Sequence, residues 1–388
     1  MEKKKVFFLV FSLNVGGVEK SLINLLSFLP AECYDIHVGL VWPEGKLMDL
    51  LQPNIKVNVI YDLSERWKEL NDPPLKTIKK YFFSCCFLKA MIAFWIYLKC
   101  KLSGSFFWWT DYVLANSNGI LEMFDLAIAY AGPATDIDYY ICKKVQAKKK
   151  IGWVHFDISK FGIDKKTINQ LYKQYERIFV VSETGKALFD QVFPQFKRKA
   201  EVFHNIVSPI LVKKSAATGE TFRDCFNGKR ILTVGRISPE KGQLFAIYAL
   251  RILVDKGYNI RWYFIGEGSD MIYCKNVAER LRLSEYVVFL GTKMNPYAFM
   301  RDCDIYMQPS RHEGFCITLA EALCFGNPIV ATDFTGAREQ LVDRENGFVV
   351  GMDAEAIASG IEKALSASKT TKVMDIENSD VEKLLSLL

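Results

Sequence analysis

The sequence predicts two doubly wound α/β domains in tandem, each a parallel sheet covered by helices on both faces. Two observations point there: short apolar runs alternate with helical stretches in both halves of the chain, and a polar run at 213–228 lies between the halves. Length is a third, because 388 residues exceed what one ordinary core organises.

The run at 6–11 reads as a first buried strand. A helix over 21–29 follows, with Leu22, Leu25, Leu26 and Leu29 on one face, and then an apolar run at 36–42. The opening Lys3-Lys4-Lys5 before an apolar run looks like a secretion signal. However, Asn14-Val15-Gly16-Gly17 follows with no small-x-small cleavage site, and a patterned helix continues. Residues 81–98, with Lys89 as their one charge, are long enough to cross a bilayer. A central lysine opposes insertion by roughly 3 kcal/mol, and a span here would split a domain that must close on itself. The segment therefore reads as one or two helices, packed in the core or dipped into a membrane interface. The interfacial reading is preferred because Lys76, Lys79, Lys80, Lys99 and Lys101 flank the segment. Runs at 126–130, 150–154 and 177–182 complete the first set of strands.

His204-Asn205-Ile206-Val207 and the polar run 213–228 read as hinge and domain start. The expected boundaries are 1–205, 206–370, and 371–388 for a C-terminal helix. Beyond the hinge, strands are expected at 230–234, 261–265, 287–290, 304–308 and 328–332. Helices are expected at 242–256, 269–282 and 318–325, the last closed by Gly326 with Pro328 just beyond. Open sheets of this kind bind ligands at the carboxyl ends of their strands.

Composition narrows the function. With 50% hydrophobic and 24% charged residues the chain is globular throughout. Its ten cysteines are scattered without a Cys-x-x-Cys pair or a His-x-x-x-His partner, a pattern that suggests neither a disulfide framework nor a zinc site and suits the cytoplasm. The net charge of +6 includes Lys143-Lys144 and Lys148-Lys149-Lys150, but no RNA-binding aromatic motif accompanies them, so nucleic acid is not the expected partner.

The most informative stretch runs from Pro309 to Leu323, with Glu313 in a strand-to-helix loop and Glu321 inside the helix. Gly314 lets backbone approach a ligand, and a helix start suits a diphosphate. Carboxylates on either side would repel phosphate but accept hydrogen bonds from sugar hydroxyls. Val234-Gly235-Arg236-Ile237-Ser238-Pro239-Glu240-Lys241-Gly242 joins another strand to a helix and brings in two cations, the side chains that neutralise a departing diphosphate. Gly16-Gly17-Val18-Glu19 opens the first helix, where plain strand-to-helix punctuation is the competing reading. Gly266-Glu267-Gly268 fails as a dinucleotide fingerprint because Met271 stands where the third glycine belongs. His155 ends the strand before it, a position where a lone histidine is more often structural.

These segments resemble the retaining GT-B glycosyltransferases of family GT4, the glycosyl transferases group 1, closely over 230–350, moderately at 1–30 and 150–207, and slightly over 45–125. The resemblance implies two Rossmann-like domains facing a central cleft, the second binding a nucleotide-sugar donor and the first a carbohydrate or polyprenyl-lipid-linked acceptor. It implies that Glu313 contacts hydroxyls of the transferred sugar and that Glu321 holds the ribose. It also implies that backbone at Gly314, Phe315 and Cys316 faces sugar and phosphates, and that Arg236 and Lys241 bind the phosphates. Gly16 and Gly17 would approach the donor, Gly266 would act sterically on the donor side, and His155 would stand near the donor sugar. The chemistry would be front-face, with no protein nucleophile. No cofactor and no essential metal are expected: Asp136-Ile137-Asp138, read as a loop, and Asp302-Cys303-Asp304 stand beside no phosphate loop. The expected setting is bacterial surface polysaccharide synthesis at the inner face of the plasma membrane. A catalytically idle GT-B protein binding a membrane or partner, and a nucleotide-sugar isomerase or hydrolase, are the alternatives.

Overall fold

A computed structural model describes residues 3–159, 162–371 and 379–388. Met1-Glu2 of the opening and residues 372–378 of the expected C-terminal segment lie outside them. The chain forms two compact units. One holds the chain up to Val181, Gly185–His204 and the C-terminal helix Ser379–Leu385; among the described residues the other holds 205–371 with Ser182–Thr184.

The first unit is a seven-stranded parallel sheet of β1 (Lys4–Val10), β2 (Tyr34–Leu40), β3 (Lys56–Val59), β4 (Ile120–Gly132), β5 (Val145–Val154), β6 (Arg177–Val180) and β7 (Ala200–Val202), in the order β3-β2-β1-β4-β5-β6-β7. Helices cover both faces, so β1 buries every residue from Val6 to Val10, as a strand without a wet side must. The helix Gly17–Ser27 turns Ser21, Leu22, Leu25 and Leu26 inward, and the Ser21 hydroxyl lies 2.8 Å from that of Tyr130 on β4. The strand order reverses between β1 and β4, so the loops leaving these two strands diverge and leave a crevice at their carboxyl ends.

The C-terminal helix packs on this sheet. Asp380 accepts the His204 backbone N–H at 2.9 Å and lies 3.0 Å from the His204 ring. Lys383 pairs with Asp380 and donates to the Val202 carbonyl, and Lys149 donates to that of Leu387.

The second unit is a six-stranded parallel sheet of β8 (Lys229–Val234), β9 (Ile260–Ile265), β10 (Val287–Phe289), β11 (Ile305–Gln308), β12 (Ile329–Thr332) and β13 (Gly347–Val350), ordered β10-β9-β8-β11-β12-β13. The helix Gln243–Asp255 buries Ala246, Ile247, Ala249, Leu250 and Leu253 against it. Here the order reverses between β8 and β11.

The structure departs from the sequence reading at several points. Strands β3, β7 and β13 were not expected; each has three or four residues at a sheet edge, too few for a period-two signal. Asp136 and Asp138 occupy the first turn of a helix, Thr135–Lys144, not a loop. There Asp138 is fully buried, accepts the Tyr175 hydroxyl and the Ala134 N–H, and burial pushes its carboxyl up to about 7. Residues 81–98, read as one or two helices, do form two, Pro74–Phe83 and Phe87–Ser103, separated by Cys85 at φ +56°. Among the described residues no helix is long and apolar enough to cross a membrane.

Candidate active site

The candidate donor site of the second unit is built from the loops that leave β8 and β11, the two strands at which that sheet reverses order. The first loop carries Arg236 and Lys241 and enters the helix Gln243–Asp255 through Gly242. At Gly242, φ is +69° and a Cβ would stand 2.0 Å from the Pro309 carbonyl oxygen, so only glycine lets the two loops touch. Arg311 N–H donates to the Glu240 carbonyl at 2.8 Å and ties the loops a second time.

At their junction Lys241 Nζ lies 2.6 Å from Glu313 Oε1, with the two side chains 20% and 10% exposed. Burial alone would depress the Lys241 ammonium, but the Glu313 carboxylate beside it carries its pKa above the usual lysine value. Glu313 is also held by Ser310, whose hydroxyl donates to the same Oε1 at 2.7 Å. Ser310 in turn takes a hydrogen bond from Gln308, and Gln308 takes one from Tyr306. This buried relay fixes the carboxylate before any ligand arrives, as a preorganised site requires.

Glu321 lies on the short helix Ile317–Leu323, 1% exposed, and accepts the Tyr297 hydroxyl at 2.7 Å. Cys316, which opens that helix, adopts φ +69°, a conformation that costs a non-glycine residue of the order of 1 kcal/mol or more. The Gln340 amide holds the Phe315 carbonyl just ahead of it. The helix has seven residues rather than the eight expected over 318–325, so its unpaired N–H groups offer a ligand more than its dipole does.

Arg236 is 70% exposed, with Glu240 at 4.0 Å, and its guanidinium is therefore open to a ligand. Gly266 has φ +141°, and a Cβ there would stand 2.0 Å from the Gly235 carbonyl oxygen, so this glycine lets the β8 and β9 loops close on each other.

Gly16, Gly17 and His155 belong to the first unit. Gly16 precedes the helix Gly17–Ser27 in an extended conformation and the Glu19 carboxylate folds over it, so a Cβ would stand 2.3 Å from Glu19 Oε2. His155 follows β5 and is 8% exposed, stacked parallel to Trp153 with Tyr130 at 4.6 Å. Among the described residues neither ring nitrogen has a partner of good hydrogen-bond geometry, and burial, only partly offset by the Tyr130 backbone, drives the imidazole down to about 3, so it is neutral at physiological pH. Any role at this position is that of a neutral donor or acceptor, not a cation.

Sequence reasoning missed Tyr297, Tyr306, Gln308 and Ser310. The last three did leave a trace: polar groups at every second position along a buried strand face one side and reach one another.

Two parallel-sheet units, the second with carboxylates and cations gathered in its switch-point loops, are the architecture of a GT-B fold. Residues 226–379 match the sequence model of the family described as Glycosyl transferases group 1, and this match together with the relatives below supports glycosyltransferase activity. The chain is 26% identical, over 96% of its length and 92% of the other's, to the N-acetylgalactosamine-N,N'-diacetylbacillosaminyl-diphospho-undecaprenol 4-alpha-N-acetylgalactosaminyltransferase of Campylobacter jejuni. It is 32% identical to the capsular polysaccharide biosynthesis glycosyltransferase CapM of Staphylococcus aureus, over 34% of this chain and 36% of that protein. Anabaena HepE in complex with UDP-glucose has the same fold, with TM-score 0.66 at 20% identity over 99% of this chain and 100% of that one.

Proposed function

We propose that the protein is a retaining glycosyltransferase that moves a sugar from a nucleoside diphosphate to a lipid-linked saccharide in the synthesis of a bacterial surface polysaccharide. The observation that carries this reading is the Lys241–Glu313 pair, which places a phosphate-binding cation and a hydroxyl-binding carboxylate 2.6 Å apart at one loop junction. In the donor complex Lys241 and Arg236 neutralise the diphosphate as its charge grows, Glu313 holds hydroxyls of the departing sugar, and Glu321 accepts the ribose hydroxyls. The phosphate oxygen that leaves takes the proton of the incoming acceptor hydroxyl on the same face, and the anomeric configuration is kept. The Campylobacter relative acts on an undecaprenol diphosphate and the Staphylococcus relative belongs to capsule synthesis, which supports the acceptor and the setting.

Two side-chain cations supply the charge that a divalent metal supplies in other transferases, and no metal is needed in this mechanism. Calorimetry with UDP-, GDP- and ADP-sugars in EDTA tests both points. One donor should bind tightly and transfer should survive the chelator. Absence of binding across the panel would refute the transferase reading, and transfer lost in EDTA and restored by Mn²⁺ would refute the metal-free mechanism.

A lipid-linked acceptor requires access to a bilayer. The paired helices Pro74–Phe83 and Phe87–Ser103 expose Phe83 (82%), Phe87, Leu88, Met91 and Trp95 (65%) among Lys76, Lys79, Lys80, Lys89, Lys99 and Lys101. Aromatics for the interface and lysines for anionic headgroups fit the cytoplasmic leaflet. The protein should sediment with phosphatidylglycerol vesicles and not with phosphatidylcholine vesicles, and F83D/W95D should stay in the supernatant. Equal partition of wild type and variant would remove the membrane contact.

A further inference from the structure

Beneath the donor-site loops of the second unit the core is polar. Tyr306 and Gln308 on β11, Ser310 just beyond it and Thr332 at the end of β12 are each at most 1% exposed. The Thr332 hydroxyl lies 2.6 Å from the Ser310 carbonyl and 3.2 Å from that of Gln308, which pins the backbone that carries both side chains. Thr318, on the helix Ile317–Leu323, reaches the same cluster from the other side.

One group dictates the direction of every side-chain hydrogen bond here. The Glu313 carboxylate can only accept, so the single Ser310 proton, 2.7 Å away, goes to its Oε1. Ser310 must then accept from the Gln308 amide nitrogen at 2.9 Å. That turns the Gln308 amide oxygen toward the hydroxyls of Tyr306 at 2.8 Å and Thr318 at 3.3 Å, and both of these donate. Gln308 therefore stands where two branches meet: its nitrogen serves the loop that carries Glu313, and its oxygen holds the helix that carries Glu321.

We propose that Gln308 is a positioning residue of the transfer reaction, whose amide sets the sugar-binding Glu313 and the ribose-binding Glu321 together. The inference rests on the transferase reading above and adds the group that couples its two subsites. Lys241 and Ser310 both hold Oε1 of Glu313, at 2.6 and 2.7 Å, which leaves Oε2 for the sugar. The chain of donors thus decides which oxygen the substrate meets. Because Gln308 and Ser310 are buried, water does not replace a bond lost between them. A glutamine is needed because its amide donates at one end and accepts at the other. Glutamate has the same shape, but as an anion it would compete with Glu313 for the one Ser310 proton.

The test uses the full chain and calorimetry with two ligands: the member of the UDP-, GDP- and ADP-sugar panel that wild type binds, and its nucleoside diphosphate alone. S310A cuts the Glu313 branch, so affinity for the sugar nucleotide should fall roughly tenfold while that for the bare nucleotide stays within about twofold. T318V cuts the other branch and should weaken both ligands severalfold and alike. Q308E gives a signature in pH. At pH 8 its carboxylate contests the Ser310 proton, and sugar-nucleotide affinity should be roughly tenfold or more below wild type. A buried carboxyl takes up a proton above its usual range, so by pH 6 it donates to Ser310 again and the ratio to wild type should return to within about threefold. A merely structural defect would not vary with pH in this way. If wild type binds no sugar nucleotide, the transferase reading falls and this inference with it. If wild type binds one but S310A matches it, or the Q308E defect is the same at pH 6 and pH 8, this inference alone is overturned. T318V with wild-type affinities would remove the coupling to Glu321.

Discussion

Lys241→Met is expected to lower kcat by roughly 10²- to 10³-fold at saturating donor, the effect of removing one charged group from the place where leaving-group charge accumulates. Two losses combine. The diphosphate loses one of its two cations, and Glu313, 10% exposed, loses its counter-ion and keeps only the Ser310 hydroxyl as a donor at Oε1. Breaking a buried pair from one side costs about 3 kcal/mol, so the melting temperature should fall as well, by several degrees in a unit of this size. The double variant K241M/E313Q separates the two losses. It leaves no orphan carboxylate, so stability should recover while turnover does not. Turnover of K241M within about fivefold of wild type would show that Lys241 is not at the phosphates.

Glu321→Ala should weaken nucleotide binding by about 10- to 100-fold, the range for losing a charged acceptor of two hydroxyls, with a smaller change in kcat once donor is saturating. The carboxylate is almost fully buried and its orientation is set by the Tyr297 hydroxyl. Burial, and then the Glu321 charge, hold the Tyr297 phenol protonated well past its usual range, so it remains a donor at any working pH. Tyr297→Phe removes the support but not the acceptor and should cost severalfold at most. Calorimetry with whichever donor of the UDP-, GDP- and ADP-sugar panel binds wild type decides: affinity in Glu321→Ala within threefold of wild type would place the ribose elsewhere.

The central strands were legible because burial on both faces demands continuous apolar runs, as in Val6 to Val10 or Ile305 to Met307. The ends and edges were not. β4 extends from Ile120, well before the expected start at 126, and its first turn of chain carries the exposed Leu121 and Met123, which no buried-strand pattern marks. The helix Phe87–Ser103 read ambiguously for a related reason. Ala93 and Cys100 pack beside Trp109 while Phe87, Leu88 and Trp95 stay exposed, and an apolar residue looks the same in sequence whether it faces core or surface.

In the site, the charged residues were legible and their supports were not. Lys241 and Glu313 stand 72 positions apart, and nothing in spacing states that their side chains meet. The Gln308–Ser310 relay and the Tyr297 hydroxyl depend in the same way on tertiary contacts. Asp136 was legible only as half of an Asp-x-Asp pair. Its distinction from Asp138 comes from Tyr175, 37 residues beyond Asp138, whose hydroxyl Asp138 accepts while Asp136 accepts the Ile137 backbone N–H.

The helix Ser379–Leu385 completes the first unit from the far side of the second in sequence, through Asp380, Lys383 and the Leu387 carbonyl. On a ribosome the order of completion is therefore inverted. The second unit has all of its strands once Val350 has emerged, whereas the first, whose strands are complete at Val202, waits for residues 380–387 before its His204, Val202 and Lys149 contacts can close. The half of the enzyme translated first is the half finished last.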